Sequence, residues 1–408
     1  MPTDPKDVDP EYFRDRARVW LADHAPRRLT VADQQDPEYW SRARSFQRMQ
    51  HAAGFAGIAW DERYGGQGLS LAHQMVFNDE AAGYELPSDA FQITLAILGM
   101  TILEHGSEEQ KEGLLPEMLR GESVWVQLLS EPGAGSDLAA ARMRAERDGD
   151  EWILNGEKVW SSFAQWSDHA MVLARTDWDV PKHAGLTMFV MRLDTPGVTL
   201  LPLRQMSGDE EFCQEFFDDV RLGADAVLGK VNGGWPVASA MFKYSRLMTS
   251  GAGLTGPTFA KDRGGDPDPG RELIDLVNAS ERGSDPHVRQ LIAHVVVDNV
   301  VSGLLANRIA ANPDPNAGNI AKMFGALVLQ RRCEIELELR GESFIGWAPE
   351  DAPGARPLFE YLKGRTASVA GGTHEVMKNN VGERLLGLPR EPQLDKDLPF
   401  RAVIRDAH

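Results

Sequence analysis

The chain has 408 residues, of which 43 are Lys or Arg and 61 are Asp or Glu, so its formal net charge is -18 at pH 7. Such an acidic protein lacks the basic balance of nucleic-acid binders, and we expect small molecules or proteins as its partners. Two cysteines are present, Cys213 and Cys333, far apart and outside any CxxC motif. This excludes a disulfide framework and a cysteine-based zinc site.

The N-terminus is acidic and rich in proline, without the basic start and apolar run of a secretory signal. The longest uninterrupted apolar stretches, such as Phe324 to Leu329, are much shorter than the roughly 18 residues that a membrane span needs. The sequence therefore predicts a soluble protein of the reducing cytoplasm, without a membrane association.

Residues 11–120 are predicted to be helical, because apolar residues recur three and four positions apart. The clearest local signal is Ser107 followed by Gln110, which together form a capping box. In such a box, the Ser hydroxyl and the Gln side chain satisfy backbone donors that a helix start leaves free. We expect that helix to run to about Leu119.

From Val124 the pattern changes to short runs rich in β-branched and aromatic residues. Asp148-Gly149 and Asn155-Gly156 are predicted to be hairpin turns. The number and spacing of the strands are typical of a small sandwich or barrel that ends near Leu228. The predicted strands are Val124–Leu129, 151–154, 158–160, 169–175, 186–192, 198–203 and 212–220.

Beyond Gly233-Gly234 the helical pattern returns, and a helix bundle is the natural packing for several long helices. A charged stretch rich in Gly and Pro, 261–270, is predicted to be a turn or a mobile loop. The predicted helices of this part are 235–260, 270–281, 286–311, 317–340 and a short one over 373–386.

Three short stretches carry residues suited to ligand binding. Ser130–Asp137 follows a predicted strand, and its small residues would let a flat ligand approach the backbone. Trp160–Ser162 offers an aromatic ring and two hydroxyls at a strand end, and Gly371–Glu375 opens a helix whose free amides favour an anion. Each also has a plainer interpretation: such turns are usually connections, Trp160 fits a core position, and glycines are common at helix starts.

Taken together, the motifs of this chain resemble those of the acyl-CoA dehydrogenase family, and the resemblance covers essentially the whole sequence. It includes the bacterial sterol-type group through Asp285–Gln290 and Gly387–Arg390. The matching segments are Tyr64–Ser70, His105–Lys111, Leu115-Pro116, Ser130–Asp137, Leu154–Trp160, Asp194–Val198, Gly371–Val376 and Glu383-Arg384.

The resemblance implies an α+β fold with a helical N-terminal domain, a β-barrel or sandwich middle domain and a C-terminal four-helix bundle. We place these domains at 1–123, 124–230 and 231–408. It also implies α,β-desaturation of a CoA thioester, with electron-transferring flavoprotein as the electron acceptor. A homo-dimer or tetramer, or a hetero-oligomer with a homologous subunit, is the implied assembly.

The cofactor implied by the resemblance is FAD. Gln127, Leu129 and Ser130 would line the isoalloxazine ring, Trp160 would pack against it and Ser162 would hydrogen-bond it. The remaining implied contacts are Thr373 and Glu375 to the ADP part of FAD, and Ser136, Gly371 and Arg246 to the substrate. No zinc motif or phosphate-binding loop is present, so we expect no metal site.

The sequence departs from the family pattern at the catalytic base. The family carries a glutamate at one of two positions, which here hold Ser245 and Gly371. Neither residue has a carboxylate, although the backbone N–H of Gly371 remains available to polarise a thioester oxygen.

Three explanations for the absent glutamate remain open at this point. The chain is one half of a hetero-oligomer in which the other subunit supplies the base, or it performs a different flavin reaction of the monooxygenase or desulfinase type. Alternatively, another residue has become the base, with Tyr244, Glu85 and Glu342 as candidates. Each of those three has a plainer interpretation as a core residue or a solvated charge.

Overall fold

The computed structural model describes residues 8–25, 36–81, 84, 86, 89–249, 271–311, 316–341, 352–392 and 395–405. The N-terminal part is helical, as predicted. Its first two helices begin at a proline that follows an aspartate, and the Asp9 and Asp36 carboxylates each accept an N–H from two residues further on. The first three helices are α1 (Pro10–His24), α2 (Pro37–Ala52) and α3 (Leu71–Ala81).

The next helix, α4, spans 89–105 and changes its winding along its length. Its first turn Asp89–Phe91 is α-helical, Gln92–Gly99 is π-helical and Met100–His105 is α-helical again. After it, α5 covers Glu108–Leu119 and begins at the predicted capping box. Both reciprocal bonds of the box are present, so this prediction is confirmed.

The middle part is one eight-stranded sheet. The strands are β1 (Trp125–Leu128), β2 (Arg144–Asp148), β3 (Glu151–Ser162), β4 (His169–Arg175), β5 (Leu186–Arg192), β6 (Val198–Leu203), β7 (Phe212–Gly223) and β8 (Val227–Leu228). Seven strands follow the order β6-β7-β3-β2-β4-β5-β8, and β1 lies off this path and pairs in parallel with β4.

The two predicted hairpin turns have opposite outcomes. Asp148-Gly149 does turn the chain, since Asp148 pairs with Glu151 across β2 and β3. The turn predicted at Asn155-Gly156 is wrong, because β3 continues through it and pairs with β7 on both sides of a bulge. The Asn155 side chain both donates to and accepts from Asp219, at 2.9 Å each, so pairing with a distant strand prevails over the local turn preference.

The C-terminal part is helical. The helices are α6 (Gly234–Thr249), α7 (Arg271–Asn278), α8 (Pro286–Ala311), α9 (Gly318–Arg340), α10 (Ala352–Lys363), α11 (His374–Asn380) and α12 (Phe400–Arg405). The sequence pattern does not predict α10 and α12. The α10 segment contains Pro353, Gly354 and Pro357, which disfavour a helix locally, but it packs against α9. Predictions for 250–270 lie outside the described residues.

One buried apolar cluster joins the three parts of the molecule. It contains Trp40 of α2, Leu95 of α4, Trp125 of β1, Met188 of β5 and Met241 of α6. Because interiors are packed at the density of organic crystals, these contacts fix the sheet relative to α4 and α6. The end of β1, where the stretch Ser130–Asp137 begins, is thereby held in place, because Leu129 and Ala134 belong to the same cluster.

Among the described residues, one helix is long and apolar enough to cross a membrane by length and composition, over Pro286–Ile309 of α8. It buries Val288 and Val295 on one face. At its middle, Asp298 pairs with Arg331 of α9, with an N–O distance of 2.9 Å. The packed face and the ion pair indicate that α8 is a helix of the bundle. Its opposite face is exposed.

Candidate functional site

The end of β1 is fastened to β3 where the candidate ligand-binding residues lie. The carbonyl of Ser130 accepts the N–H of Val159 at 3.0 Å, so Ser130 lies directly beside the residue that precedes Trp160. The following turn is closed by paired backbone bonds between Glu131 and Ala134. Ser130 and the end of β3 therefore lie next to each other.

Trp160 is turned outward by a bulge in β3. The register against β7 shifts between Val159 and Ser161, which leaves Trp160 without an opposing residue. Its φ is 68°, a left-handed conformation that is costly for an aromatic residue. Its side chain is 60% exposed and meets Phe212 edge to face, with 6.0 Å between the ring centroids. Bulges re-aim side chains, and this one presents an indole ring at the surface.

A buried ion pair lies directly behind this surface. Lys158 is fully buried, and its ammonium donates to Glu131 Oε1 at 2.8 Å and to the Leu129 carbonyl at 2.9 Å. Glu131 also accepts the N–H groups of Arg142 and Met143. Burial lowers the pKa of Lys158, and the Glu131 charge opposes that shift. The pair ties β3 to both ends of the 131–141 connection.

A second buried carboxylate, Glu215 of β7, lies next to the bulge. Its Oε2 accepts the Ser161 hydroxyl at 2.6 Å, while its Oε1 has no hydrogen-bond partner among the residues that the structure describes. Burial raises the pKa of Glu215 to about 7, against the opposing effects of the Ser161 hydrogen bond and the Lys158 charge. Lys158, Glu131 and Glu215 are not among the site residues predicted from the sequence. Charged residues at inward positions of a strand are the signal that could have identified Lys158 and Glu215, whereas Glu131 lies in the turn after β1.

A second group of predicted residues surrounds the start of α9. The Arg246 side chain lies near Gly318, the first residue of α9, and the Lys322 ammonium one turn later donates to the Gly372 carbonyl. Gly371 and Gly372 have φ values of 69° and 103°, which suit glycine. Burial lowers the pKa of Arg246, and the charge of Arg384 adds to that effect.

Tyr244 is poorly suited to be the missing base. Its hydroxyl donates to Glu104 Oε2 at 2.6 Å, and Lys243 binds the same carboxylate oxygen at 2.8 Å. Burial raises the pKa of Tyr244, and the hydrogen bond to Glu104 raises it further. A phenol that is held in its protonated form by a carboxylate does not accept a second proton.

The predicted site residues thus form two groups. Gln127, Leu129, Ser130, Trp160 and Ser162 lie at the adjacent ends of β1 and β3. Gly371, Thr373, Glu375, Ser245 and Arg246 belong to the helical part, where the Thr373 hydroxyl caps α11 by accepting the Val376 N–H. Ser136 lies exposed in the loop after β1, and the base candidates Glu85 and Glu342 lie outside the described residues.

Comparison with known proteins identifies the family. The family profile described as the acyl-CoA dehydrogenase N-terminal domain matches residues 8–122, and that of the middle domain matches 127–220. The chain is 33% identical over 397 residues to acyl-CoA dehydrogenase IpdE1 of Mycobacterium tuberculosis, covering 94% of this chain and 99% of that protein. The chain therefore belongs to the acyl-CoA dehydrogenase family of flavoprotein oxidoreductases.

Two solved structures share this fold. The ChsE4-ChsE5 complex of Mycobacterium tuberculosis matches with a TM-score of 0.73 and 25% identity, over 96% of this chain and 100% of that chain. A structure described as the Tcur3481-Tcur3483 steroid acyl-CoA dehydrogenase matches with a TM-score of 0.76 and 25% identity, over 95% of this chain and 100% of that one. The α+β fold predicted from the motifs, with helical, sheet and helical parts in that order, is confirmed.

Proteins of this family depend on FAD, and the residues at the end of β1 and β3 fit such a group. Trp160 is the bulge residue with the left-handed backbone conformation, and its exposed indole offers a flat face for an aromatic ring. Gly133 and Gly135 leave open space where a Cβ would project. Ser130 and Ser162 supply hydroxyls of the kind that hydrogen-bond a ring edge.

Proposed function

We propose that the chain is an FAD-dependent acyl-CoA dehydrogenase that desaturates a CoA thioester. The observation that carries this proposal is the Trp160 bulge beside Ser130, in a chain that resembles such enzymes from end to end. The strained conformation of Trp160 is expected where a side chain is presented to a ligand. We keep the domain boundaries at 1–123, 124–230 and 231–408, with the site between the second and third domains.

In this proposal FAD would be held by the two groups of residues described above. Gln127, Leu129 and Ser130 would line the isoalloxazine, Trp160 would pack against it and Ser162 would hydrogen-bond it. Thr373 and Glu375 would contact the ADP part. When bound, FAD would supply a hydride acceptor for the β-hydrogen of the thioester.

The residues of the chain itself orient the thioester. Ser136 contacts the CoA part, the Gly371 N–H polarises the thioester oxygen, and Arg246 lies on the same side of the site. The reaction also requires a general base, a carboxylate close enough to the α-carbon of the thioester to remove its proton. Ser245 and Gly371 cannot supply it, and the bond from Tyr244 to Glu104 argues against Tyr244.

A second candidate function is that of a subunit in a hetero-oligomer, whose homologous partner carries the base. Two observations favour it: the base positions lack a carboxylate, and one of the similar structures is described as a complex of two proteins. In addition, α8 presents an exposed apolar face, which is suited to covering by another helix. That face contains Val296, Val297, Val300, Val301 and Leu304.

The relatives suggest the substrate class and the setting. One similar structure is described as a steroid acyl-CoA dehydrogenase, and we propose a sterol-derived acyl-CoA over a simple fatty acyl-CoA as substrate. Electron-transferring flavoprotein is the proposed electron acceptor, and the cytoplasm is the proposed location. A flavin monooxygenase or desulfinase reaction is the remaining alternative.

An anaerobic titration of the purified protein with a panel of acyl-CoAs, followed by visible absorbance, tests the proposal. Bleaching of bound flavin by a saturated acyl-CoA is the expected result if the chain acts alone. If the protein is yellow and bleaches only after co-expression with a glutamate-bearing homologue, the subunit function is correct. Oxygen consumption without enoyl product would instead support the monooxygenase alternative, and a protein that never binds flavin would contradict both proposals.

A carboxylate placed at position 245 is expected to supply the missing base. Ser245→Glu should raise the exchange of the α-proton of a suitable acyl-CoA into deuterated water by at least about tenfold, because general bases typically contribute 10²- to 10⁴-fold. Nuclear magnetic resonance of the thioester measures this exchange. Ser245→Gln is the matched control, with the same length and no charge; equal exchange in both variants would contradict the mapping.

Removal of the Trp160 ring is expected to weaken FAD retention. Stacking on an indole face contributes affinity that alanine cannot replace, so Trp160→Ala should lose about tenfold or more in FAD affinity. Flavin fluorescence released on dilution measures this loss. Tyr12→Ala of α1 is a matched control, since Tyr12 is 61% exposed and Trp160 is 60% exposed. Unaltered retention in the Trp160 variant would remove that residue from the site.

A further inference from the structure

The C-terminal segment 395–405 returns to the middle domain and is bound there by backbone and side chains. Phe400 is 1% exposed, and its N–H donates to the Val180 carbonyl at 2.9 Å. The next residue, Arg401, donates its N–H to the Trp178 carbonyl at 2.9 Å and pairs with Asp179 at 3.0 Å. The segment therefore lies firmly against the connection between β4 and β5.

Beneath Phe400 lies Arg175, which is fully buried at the end of β4. Its guanidinium donates to the carbonyls of Ala139 at 2.6 Å, Ala141 at 3.0 Å and Lys182 at 3.2 Å. The Phe400 ring covers it, with the guanidinium carbon 3.8 Å from the ring centroid. A cation shielded from water by an aromatic face holds its carbonyl partners more strongly than a hydrated one.

A second anchor joins the same segment to the same loop. The Lys182 ammonium binds Asp137 at 2.8 Å and Asp395 at 3.3 Å, so one cation connects the C-terminal segment to the residue that follows Ser136. Burial lowers the pKa of Lys182, but its hydrogen bond to Asp137 and the charges of both carboxylates prevail, so the pKa is raised above its ordinary value. The lysine therefore stays charged at neutral pH.

The loop between these anchors has buried ends and an exposed tip. Ala134, Leu138, Ala139 and Ala141 are buried, whereas Gly135, Ser136 and Asp137 are exposed. Among the described residues, no atom lies within 4 Å of where a Cβ would project from Gly135. The short helical turn Leu138–Ala140 that follows is held by the Arg175 bonds to carbonyls 139 and 141. Besides this core packing, Lys182 binds the exposed tip at Asp137, and Arg175 binds the carbonyls of 139 and 141. The C-terminal segment contacts both cations, through Asp395 and Phe400.

We propose that the segment 395–405 is a strap that positions the loop 134–141, with Phe400 and Asp395 as its positioning residues. Because Ser136 lies in that loop, the strap would tune how tightly the CoA thioester is held; this part rests on the proposed function. The strap acts on the loop indirectly, through its contacts with Arg175 and Lys182. In this proposal its residues do not themselves contact the substrate.

Hydrogen exchange of the full-length protein, followed by mass spectrometry, tests the strap directly. Phe400→Ala should raise the exchange rate of the amides in 138–141 by about tenfold or more, which corresponds to about 1.4 kcal/mol of local opening. The amides of β7 should keep their wild-type rates. Leu398→Ala is the matched control, since Leu398 lies in the same segment, is 44% exposed and should leave the loop unchanged.

A second variant, Asp395→Asn, keeps the test valid if Phe400→Ala does not fold. It removes one partner of Lys182 at a site that is 37% exposed, and should raise exchange in 134–141 severalfold. Phe400→Leu, which restores an apolar cover, should recover much of the protection that Phe400→Ala loses. Unchanged loop exchange in Asp395→Asn and in any folded Phe400→Ala protein would overturn the proposal, as would an equal rise in β7.

The ligand readout separates this inference from the proposed function. In titrations with acyl-CoA followed by the absorbance of bound flavin, Phe400→Ala should raise the acyl-CoA concentration needed for half of the spectral change by about tenfold, with the final extent of the change unchanged. If the wild-type protein binds no acyl-CoA while Phe400→Ala still loosens the loop, the proposed function fails and the strap stands. If the wild-type protein binds acyl-CoA and neither Phe400→Ala nor Asp395→Asn changes the amide exchange of 134–141, only the strap proposal is wrong.

Discussion

Replacing Lys158 by methionine is expected to lower the free energy of unfolding by about 3 to 5 kcal/mol. The substitution keeps an unbranched apolar side chain, one heavy atom shorter, and removes the cation that faces Glu131 at 2.8 Å. Glu131 is 8% exposed and would keep two backbone N–H donors and the charge of Arg175, but it would lose its direct ion-pair partner. The Leu129 carbonyl would lose its donor. Urea unfolding followed by circular dichroism measures the loss.

An exposed ion pair provides the control for this prediction. Arg120 and Glu122 approach to 2.7 Å, but their side chains are 40% and 43% exposed, so Arg120→Met should cost less than about 1 kcal/mol. The double variant Lys158→Met with Glu131→Gln should regain part of the loss, because the uncompensated charge is gone. If Lys158→Met costs no more than Arg120→Met, the buried pair does not stabilise the connection after β1.

Glu215→Gln is expected to change how stability depends on pH. Burial raises the pKa of Glu215 from an ordinary 4.5 to about 7, so the folded state holds this proton more tightly than the unfolded chain does. The stability that results is complete below about pH 4.5 and is lost as the pH rises through 7. The glutamine variant lacks this loss, so its stability relative to wild type should increase by about 2 to 3 kcal/mol between pH 5 and pH 8.

Thermal or urea unfolding at the two pH values measures this change. Glu146→Gln, at an exposed position of β2, is the matched control and should show no comparable change, since its side chain is hydrated in both states. Glutamine at 215 can still bond the Ser161 hydroxyl, so the substitution separates charge from hydrogen bonding. A constant difference between Glu215→Gln and wild type across this range would show that Glu215 is ionised or solvated in the folded protein.

The predictions that succeeded rest on local chemistry. The Ser107 capping box, the Asp148-Gly149 turn and most strand and helix spans follow from hydrogen-bonding and periodicity rules that act over a few residues. The motifs also located the stretches at Ser130 and Trp160 that the fold brings together. The roles assigned to the site residues remain proposals.

The failures occur where distant segments decide the conformation. Asn155-Gly156 has a strong local turn signal, but β3 gains hydrogen bonds to β7 along its whole length, and the turn residues become a bulge. The α10 helix forms despite two prolines, where it packs against α9. In both cases the free energy of long-range pairing or packing exceeds the local preference.

The sequence by itself determined the acidic, cysteine-poor composition, the order of helical, β and helical parts, the family motifs and the absence of a carboxylate at positions 245 and 371. Only the tertiary structure decided that Lys158 is buried against Glu131, that Trp160 points outward and that Phe400 covers Arg175. The physical reason is that burial and charge pairing depend on which distant residues meet. The partners of these side chains come from other strands and from the far end of the chain, and no local pattern specifies them.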